Sequence, residues 1–154
     1  MIISLIVFLV GLVFGSFLNV LIYRLPLGIS LLKPIGSACP HCNYKIKWYE
    51  NIPVFSYLFL RGKCSSCSDS ISISYPIVEL ITAVVTLMLY SNFWLGWDMV
   101  ITITLFYILI VLSFIDLKYR AVPDYLLIIV VVLAILVGDI INILLFTGGF
   151  VLLE

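Results

Sequence analysis

Charged residues are scarce in this chain. Lys, Arg, Asp and Glu account for 10% of its 154 residues, whereas a soluble domain carries about 25%. Hydrophobic residues make up 64%, and the mean hydropathy is +1.31. The eight basic and eight acidic residues cancel, and no basic run is interleaved with aromatic residues. The composition therefore indicates a membrane protein whose partners include the lipid bilayer and no nucleic acid.

Histidine occurs only once, as His41, which lies inside a cysteine motif. This excludes catalysis by a Ser/His/Asp or Cys/His group, because no second histidine can serve as the base. Ser16 is therefore not expected to be a nucleophile. It lies beside Gly11, Gly15 and Asn19, which recur every four residues and share one helix face. We interpret that face as a small-residue surface on which another helix packs closely.

All four cysteines belong to two Cys-x-x-Cys pairs, Cys39 with Cys42 and Cys64 with Cys67, separated by residues 43–63. Two such pairs provide a closed tetrahedral four-sulfur site, the form that structural Zn²⁺ takes. The separation is at the edge of the usual spacing of roughly 15–20 residues. Two disulfides are the alternative, and four unrelated buried thiols are a third interpretation.

The distribution of basic residues decides between zinc and disulfides. Six of them lie between the first two apolar stretches and two follow the third: Arg24, Lys33, Lys45, Lys47, Arg61, Lys63, then Lys118 and Arg120. Cytoplasmic loops collect Lys and Arg, so the cysteine loop is expected in the cytoplasm and the N-terminus outside. The cytosol keeps thiols reduced, which favours zinc.

Four apolar stretches predict transmembrane helices, at residues 2–22, 76–93, 98–115 and 125–146. We expect an all-α polytopic membrane protein with about four transmembrane helices and a small cytoplasmic zinc-binding loop. The domains are helix 1 in residues 1–24, the loop in 25–75 and the remaining helices in 76–154. Residues 52–60 are apolar but too short to span, so they are expected on the bilayer or under the helices. After Gly148 and Gly149 a fifth helix is expected to begin.

Several acidic residues lie in or beside these helices. Glu79 is placed in the first turn of the second helix, where a carboxylate suits either the helix dipole or a partner in a site. Asp98 begins the third helix in the same way. Asp124 is interpreted as the N-cap of the fourth helix. Asp139 lies within the fourth run, where a carboxylate faces the bundle interior or is protonated.

Asp116 is the best candidate for a catalytic group, because it lies at the cytoplasmic end of the third helix, where water can reach it. An aspartic mechanism needs two carboxylates about 3 Å apart that share one proton. A salt bridge to Lys118 or Arg120 is the alternative, and the residues alone favour it slightly.

Several segments, taken in order, resemble the motifs of bacterial type IV prepilin leader peptidases. They are the N-terminal signature GSFLNVLIYRLP at 15–26, CPHC at 39–42, WYENIPVFSY at 48–57, RGKCSSC at 61–67, ISYPIVEL at 73–80, and the first catalytic motif at 115–124. The resemblance covers roughly residues 11–128. Ser68 departs from the glycine that is frequent after the last cysteine, and a serine can make the same turn.

The resemblance implies an aspartic endopeptidase of the bacterial inner membrane that removes the basic leader of prepilins or pseudopilins on the cytoplasmic side. Asp116 takes the place of an active-site aspartate. The resemblance also implies N-methylation of the new N-terminus with S-adenosylmethionine, for which the chain itself shows no separate signature. Cys39, Cys42, Cys64 and Cys67 match the cysteine loop of members that have both activities.

The second catalytic motif of that family, Gly-x-Gly-Asp, does not occur in this sequence. Residues 136–139 lack its first glycine and lie too close to Asp116, so Asp139 is not assigned to the catalytic pair. The chain is expected to be the N-terminal part of such a peptidase, with a C-terminal half or a second copy supplying the other aspartate. The alternative is a non-catalytic paralogue that binds prepilin or pilus assembly components.

Overall fold

In the residues that it describes, the computed structural model is helical, with five α-helices and a loop between the first and third. It describes residues 2–31, 37–92, 96–120 and 123–151, with side chains in the last range as far as residue 138. The helices are α1 (Ile2–Arg24), α2 (Phe55–Phe59), α3 (Ser74–Asn92), α4 (Trp97–Tyr119) and α5 (Asp124–Val151). A short 3-10 helix at Trp48–Asn51 precedes α2.

Three of these helices, α1, α3 and α4, are long and apolar enough to cross a membrane. The described side chains of α5 form a further apolar stretch, Asp124–Gly138, which is shorter. The prediction of an all-helical polytopic membrane protein is confirmed. The expected break at Gly148 and Gly149 is wrong, because α5 continues to Val151. A helix satisfies its own backbone groups in lipid, and glycine is tolerated there.

Helices α1 and α3 pack most closely, on the small-residue face predicted from the sequence. A Cβ atom added to Gly11 would lie 2.6 Å from the Cα of Ala83, and one added to Gly15 would lie 2.6 Å from the Cα of Glu79. Only glycine permits such an approach of two backbones. The interpretation of this face is therefore confirmed.

Helix α3 begins at Ser74, two residues earlier than expected. The backbone N–H of Ser74 donates to the hydroxyl of Ser72 at 3.3 Å, which satisfies one N–H of the first turn. Pro76 is then the third helical residue, still within the turn where its missing N–H costs nothing. Glu79 consequently lies beyond the first turn, and its expected place in that turn is wrong.

The core of the helical part is formed by α1, α3, α4 and α5 together. Its buried side chains are Leu18, Ile22, Val78, Ile110, Val111, Leu112, Ile115 and Leu126. The hydroxyls of Thr82 and Thr86 donate to carbonyls one turn earlier, at 2.7 and 2.6 Å. The hydroxyls of Thr86 and Tyr107 are 2.7 Å apart and connect α3 with α4. Polar groups in the helical core are thus hydrogen-bonded, as an apolar environment requires.

Candidate functional site

The first cysteine pair lies in a small hairpin closed by backbone hydrogen bonds. The N–H of Cys39 donates to the carbonyl of Tyr44 at 3.0 Å, and the N–H of Asn43 donates to the carbonyl of Cys39 at 2.9 Å. An antiparallel bridge pairs Ala38 with Lys45. The backbone thereby brings both thiols of this pair to one side of a tight turn.

The second cysteine pair repeats this geometry. The N–H of Cys64 donates to the carbonyl of Asp69 at 2.8 Å, and the N–H of Ser68 donates to the carbonyl of Cys64 at 3.0 Å. An antiparallel bridge pairs Lys63 with Ser70. The same donors and acceptors occur at the same offsets from the first cysteine. The loop therefore contains two equivalent turns, the first knuckle at residues 38–45 and the second knuckle at residues 63–70.

The two knuckles bring all four thiols into one cluster. Their sulfur atoms lie within 4.8 Å of one another, and the sulfurs of Cys39 and Cys67 are 3.9 Å apart. Zn–S bonds of about 2.3 Å at tetrahedral angles place the sulfurs about 3.8 Å apart. Disulfides would instead bring sulfurs to about 2.05 Å, and all four cysteines are free. The donor set and its spacing therefore fit a structural Zn²⁺.

Backbone amides and neighbouring thiols shift the pKa values of two cysteines of this cluster in opposite directions. The N–H groups of Cys67 and Ser66 lower the pKa of the Cys64 thiol to about 7, because they stabilise the thiolate. For Cys67 the backbone of Asp69 lowers the pKa, but burial and the three other thiols outweigh it and raise the pKa to about 12. Four adjacent thiols cannot all ionise without a cation, and a divalent metal supplies the missing positive charge.

Side chains near the knuckles form contacts within the loop and are not part of the cysteine cluster. His41 Nε2 is 2.8 Å from Asp69 Oδ2, which connects the first knuckle to the second. Glu50 accepts a hydrogen bond from the backbone N–H of Lys47 at 2.9 Å. The hydroxyl of Ser65 and this N–H lower the pKa of Glu50. The 3-10 helix is thereby connected to the second knuckle.

A cavity of about 600 Å³ lies between the loop and the helices α1 and α3. Cys39 and Cys64 line it on the loop side, while Ser16, Tyr75 and Glu79 line it on the helix side. The cysteine cluster and the helical part therefore both line this cavity (the chamber), which contains polar groups and aromatic rings.

Glu79 is the most buried acidic group of this chamber, at 7% exposure. Its Oε2 accepts a hydrogen bond of 2.7 Å from the backbone N–H of Val54, and Ser16 lines the chamber beside it. The sequence did not predict this contact between Glu79 and Val54. Residues 52–60 are expected from the sequence on the bilayer or under the helices, and no motif indicates that their backbone turns back onto α3.

Two basic side chains close the same chamber near the helix ends. Arg24 is 9% exposed, and its Nη1 donates to the carbonyls of Ser30 at 3.0 Å and Leu31 at 3.2 Å. Lys118 Nζ lies 5.5 Å from the ring centre of Tyr23. Both arrangements are those expected of basic groups at a helix end or over an aromatic face.

Asp116 lies in the last turn of α4, where its carbonyl accepts the N–H of Arg120 at 2.8 Å. Its side chain is exposed, and it lines neither this chamber nor the smaller neighbouring cavity. Within the described ranges it makes no ion pair with Lys118 or Arg120. Asp124 is the first residue of α5, and the side chain of Asp139 lies outside the described residues.

A family comparison and a comparison with curated proteins both find prepilin peptidase sequences. The family described as "Bacterial Peptidase A24 N-terminal domain" matches residues 9–93. The prepilin leader peptidase/N-methyltransferase of Myxococcus xanthus is 42% identical, over 75% of this chain and 34% of that protein. The proteins of the same name from Aeromonas hydrophila and Vibrio cholerae are 38% and 42% identical, over 78% and 77% of this chain and 49% of each relative.

The chain spans about half the length, or less, of the curated relatives that it matches. No solved structure matches it significantly. The family match includes both knuckles, Glu79 and the lining of the chamber except Lys118.

Proposed function

Because this chain belongs to the bacterial peptidase A24 N-terminal domain family, we propose that it acts in prepilin leader peptidase/N-methyltransferase function. In this proposal it contributes to an aspartic endopeptidase that removes the basic leader of prepilins or pseudopilins. The observation that carries the proposal is the 42% identity to a protein of that name over 75% of the chain.

The zinc loop is the first part of the proposal. Cys39, Cys42, Cys64 and Cys67 would hold a structural Zn²⁺, since their sulfurs form one cluster. The loop of residues 25–75 would lie in the cytoplasm, between a first transmembrane helix in 1–24 and the helices of 76–154. The N-terminus would lie outside the bacterial inner membrane. The concentration of basic residues beside the loop supports this orientation.

Asp116 is proposed as one carboxylate of the catalytic pair. One member of such a pair takes a proton from water while the other donates to the carbonyl oxygen of the peptide. The exposed position of Asp116 at the end of α4 leaves it open to a peptide and to a second carboxylate. That second group would come from a C-terminal half or from a second copy of the chain.

Methylation is the other half of the proposed activity. S-adenosylmethionine, when bound, supplies a methyl group on a sulfonium cation. The chamber beside the zinc cluster has room for a ligand of this kind, at about 600 Å³, and is walled by tyrosines and a buried carboxylate. These are the groups that recognise an organic cation.

A second candidate function is a non-catalytic membrane scaffold that binds prepilin or pilus assembly components through the zinc loop. One observation favours it. Asp116 lies outside both of the cavities described above, and a lone carboxylate cannot fill both roles of a pair that shares a proton.

Cleavage of a prepilin with a basic leader and a Gly–Phe junction tests the proposal. The chain, purified in detergent, is assayed alone and with a polypeptide that carries Gly-x-Gly-Asp. Asp116→Asn should lower the cleavage rate at least about 100-fold. Asp98→Asn, the same change at the other end of α4, should leave the rate near that of the wild type.

Each outcome separates the two candidates. Cleavage by the wild type that Asp116→Asn abolishes supports the peptidase, with or without the added polypeptide. Equal cleavage by Asp116→Asn and the wild type contradicts the role of Asp116. No cleavage under any condition, together with retention of prepilin by the wild-type chain, supports the scaffold.

A further inference from the structure

Among the described residues, the carboxylate of Glu79 has a hydrogen-bond donor but no ion-pair partner. The residue is 7% exposed, and its carboxylate accepts the N–H of Val54 at 2.7 Å. Across the described ranges, the recorded ion pair is between His41 and Asp69, so no Lys, Arg or His forms an ion pair with Glu79. Buried carboxylates are normally paired with a cation. The chamber that Glu79 lines is where such a cation can enter.

The backbone is strained at Val54, the residue whose N–H contacts Glu79. Val54 has φ 62° and ψ −50°, and the N–H of Phe55 donates to the carbonyl of Pro53 at 2.6 Å. These values describe a γ-turn with positive φ, which is rare and strained, above all for a β-branched residue. Strain of this kind is concentrated at ligand clamps and active sites. The turn directs the N–H of Val54 at the carboxylate.

The surroundings of Glu79 suit an organic cation better than a metal ion. Within the described residues the four cysteines are the group able to hold a metal ion, and Glu79 is not among them. Tyr23, Tyr57 and Tyr75 line the same chamber, and aromatic faces attract ammonium and sulfonium groups. Glu79 also lies five residues after the start of α3, about 7.5 Å along its axis. A ligand can therefore reach it from the loop side.

We propose that Glu79 is the anionic anchor of an onium-binding site in the chamber between the zinc loop and helices α1 and α3. The ligand is an organic ammonium or sulfonium ion that carries an apolar body. If the proposed function holds, two molecules have this chemistry: the free N-terminus of a cleaved pilin and the sulfonium methyl donor. Val54 is a positioning residue, because its N–H fixes the orientation of the carboxylate.

Binding measurements with paired probes test this site. A short peptide amide that begins with phenylalanine is compared with its N-acetylated form, which lacks the positive charge. S-adenosylmethionine is compared with S-adenosylhomocysteine, a neutral thioether of nearly the same shape. Isothermal titration of the purified full chain in detergent gives each dissociation constant. We expect at least one charged probe to bind about tenfold or more tightly than its neutral partner.

Glu79→Gln removes the charge and keeps a carbonyl oxygen that can accept the N–H of Val54. We expect it to abolish the preference for the charged probe. Ser16→Ala changes the lining of the same chamber without changing its charge and should keep most of that preference. The ligand is identified by the pair of probes whose dissociation constants differ in the wild type and become equal in Glu79→Gln. The proposal is overturned if the wild type binds charged and neutral probes equally, or if Glu79→Gln retains the wild-type preference.

This test can fail independently of the proposed function. A chain that discriminates between the probes through Glu79 but never supports prepilin processing contradicts the proposed function and keeps the site. A chain that supports processing and shows no dependence of binding on Glu79 keeps the function and contradicts the site. The comparison of probes on the wild type needs no variant, so a misfolded Glu79→Gln protein does not block it.

Discussion

Asn43 and Ser68 each follow the second cysteine of a knuckle and have a left-handed backbone. Their φ values are 55° and 59°, and the N–H of each donates back to the first cysteine of its pair. Only glycine adopts this region without cost, although asparagine tolerates it better than serine. The second knuckle is therefore under more strain than the first, at a position where a glycine would fit.

Ser68→Gly is expected to strengthen zinc binding. The left-handed conformation costs a non-glycine residue about 1 kcal/mol, and the greater flexibility of glycine in the unfolded loop offsets part of the gain. We expect the zinc affinity to rise about twofold to fivefold, measured by competition with a chelator. Asn43→Gly is the matched control and should change it less. A weaker affinity in Ser68→Gly would mean that the serine side chain contributes to the knuckle.

The cysteine residues were predictable from the sequence, whereas the partner of Glu79 was not. Two Cys-x-x-Cys pairs carry their geometry locally, because each turn is closed within six residues. The contact between Glu79 and Val54 depends on how residues 52–60 fold against α3. Apolar side chains alone do not determine that arrangement. The same limit applies to Asp116, because nothing local indicates whether its side chain reaches a cavity.

The packing of α1 against α3 determines the helix side of the chamber. Gly15 lies against the backbone of Glu79 itself, and the Nδ2 atom of Asn19 donates to the carbonyl of Tyr75 at 3.0 Å. Both contacts fix the start of α3 relative to α1. The repeat of small residues predicted this contact face, because close helix packing in membranes follows such repeats.

Gly15→Ala is expected to destabilise the helical part. The added methyl group would lie 2.6 Å from the Cα of Glu79, so two backbones must separate, at a cost of about 1–3 kcal/mol. Gly138→Ala in α5 is the control, since no atom of the described residues lies within 4 Å of the corresponding position. It should be neutral or stabilising by up to about 1 kcal/mol. Thermal unfolding in detergent measures both, and equal effects would contradict the close approach.

The ends of the helices were less predictable than their existence. Twenty apolar residues predict a span, and α1, α3 and α4 follow this rule. Helix α3 begins before Pro76, at Ser74, whose N–H donates to the hydroxyl of Ser72. Glycines 148 and 149 did not end α5, because an apolar environment favours an unbroken hydrogen-bonded helix.

The protein as a unit joins a well-packed helical part to a loop with little core of its own. Among described residues 37–73, the one buried residue is Cys39, and large side chains such as Trp48 and Phe59 are 82% and 84% exposed. A segment of this size cannot bury enough apolar surface to be stable alone, and a structural metal at the four cysteines would supply the difference. The proposed zinc site would therefore also hold the loop side of the chamber in place.

Zinc content is the most direct test of this dependence. Elemental analysis of the chain purified in detergent should give one zinc per chain for the wild type. Cys64→Ser should lose the metal, since three thiolates leave an incomplete site. His41→Ala should keep it, because His41 pairs with Asp69 and is 69% exposed. A wild type without zinc, or a His41→Ala protein that loses zinc while Cys64→Ser retains it, would contradict the four-cysteine site.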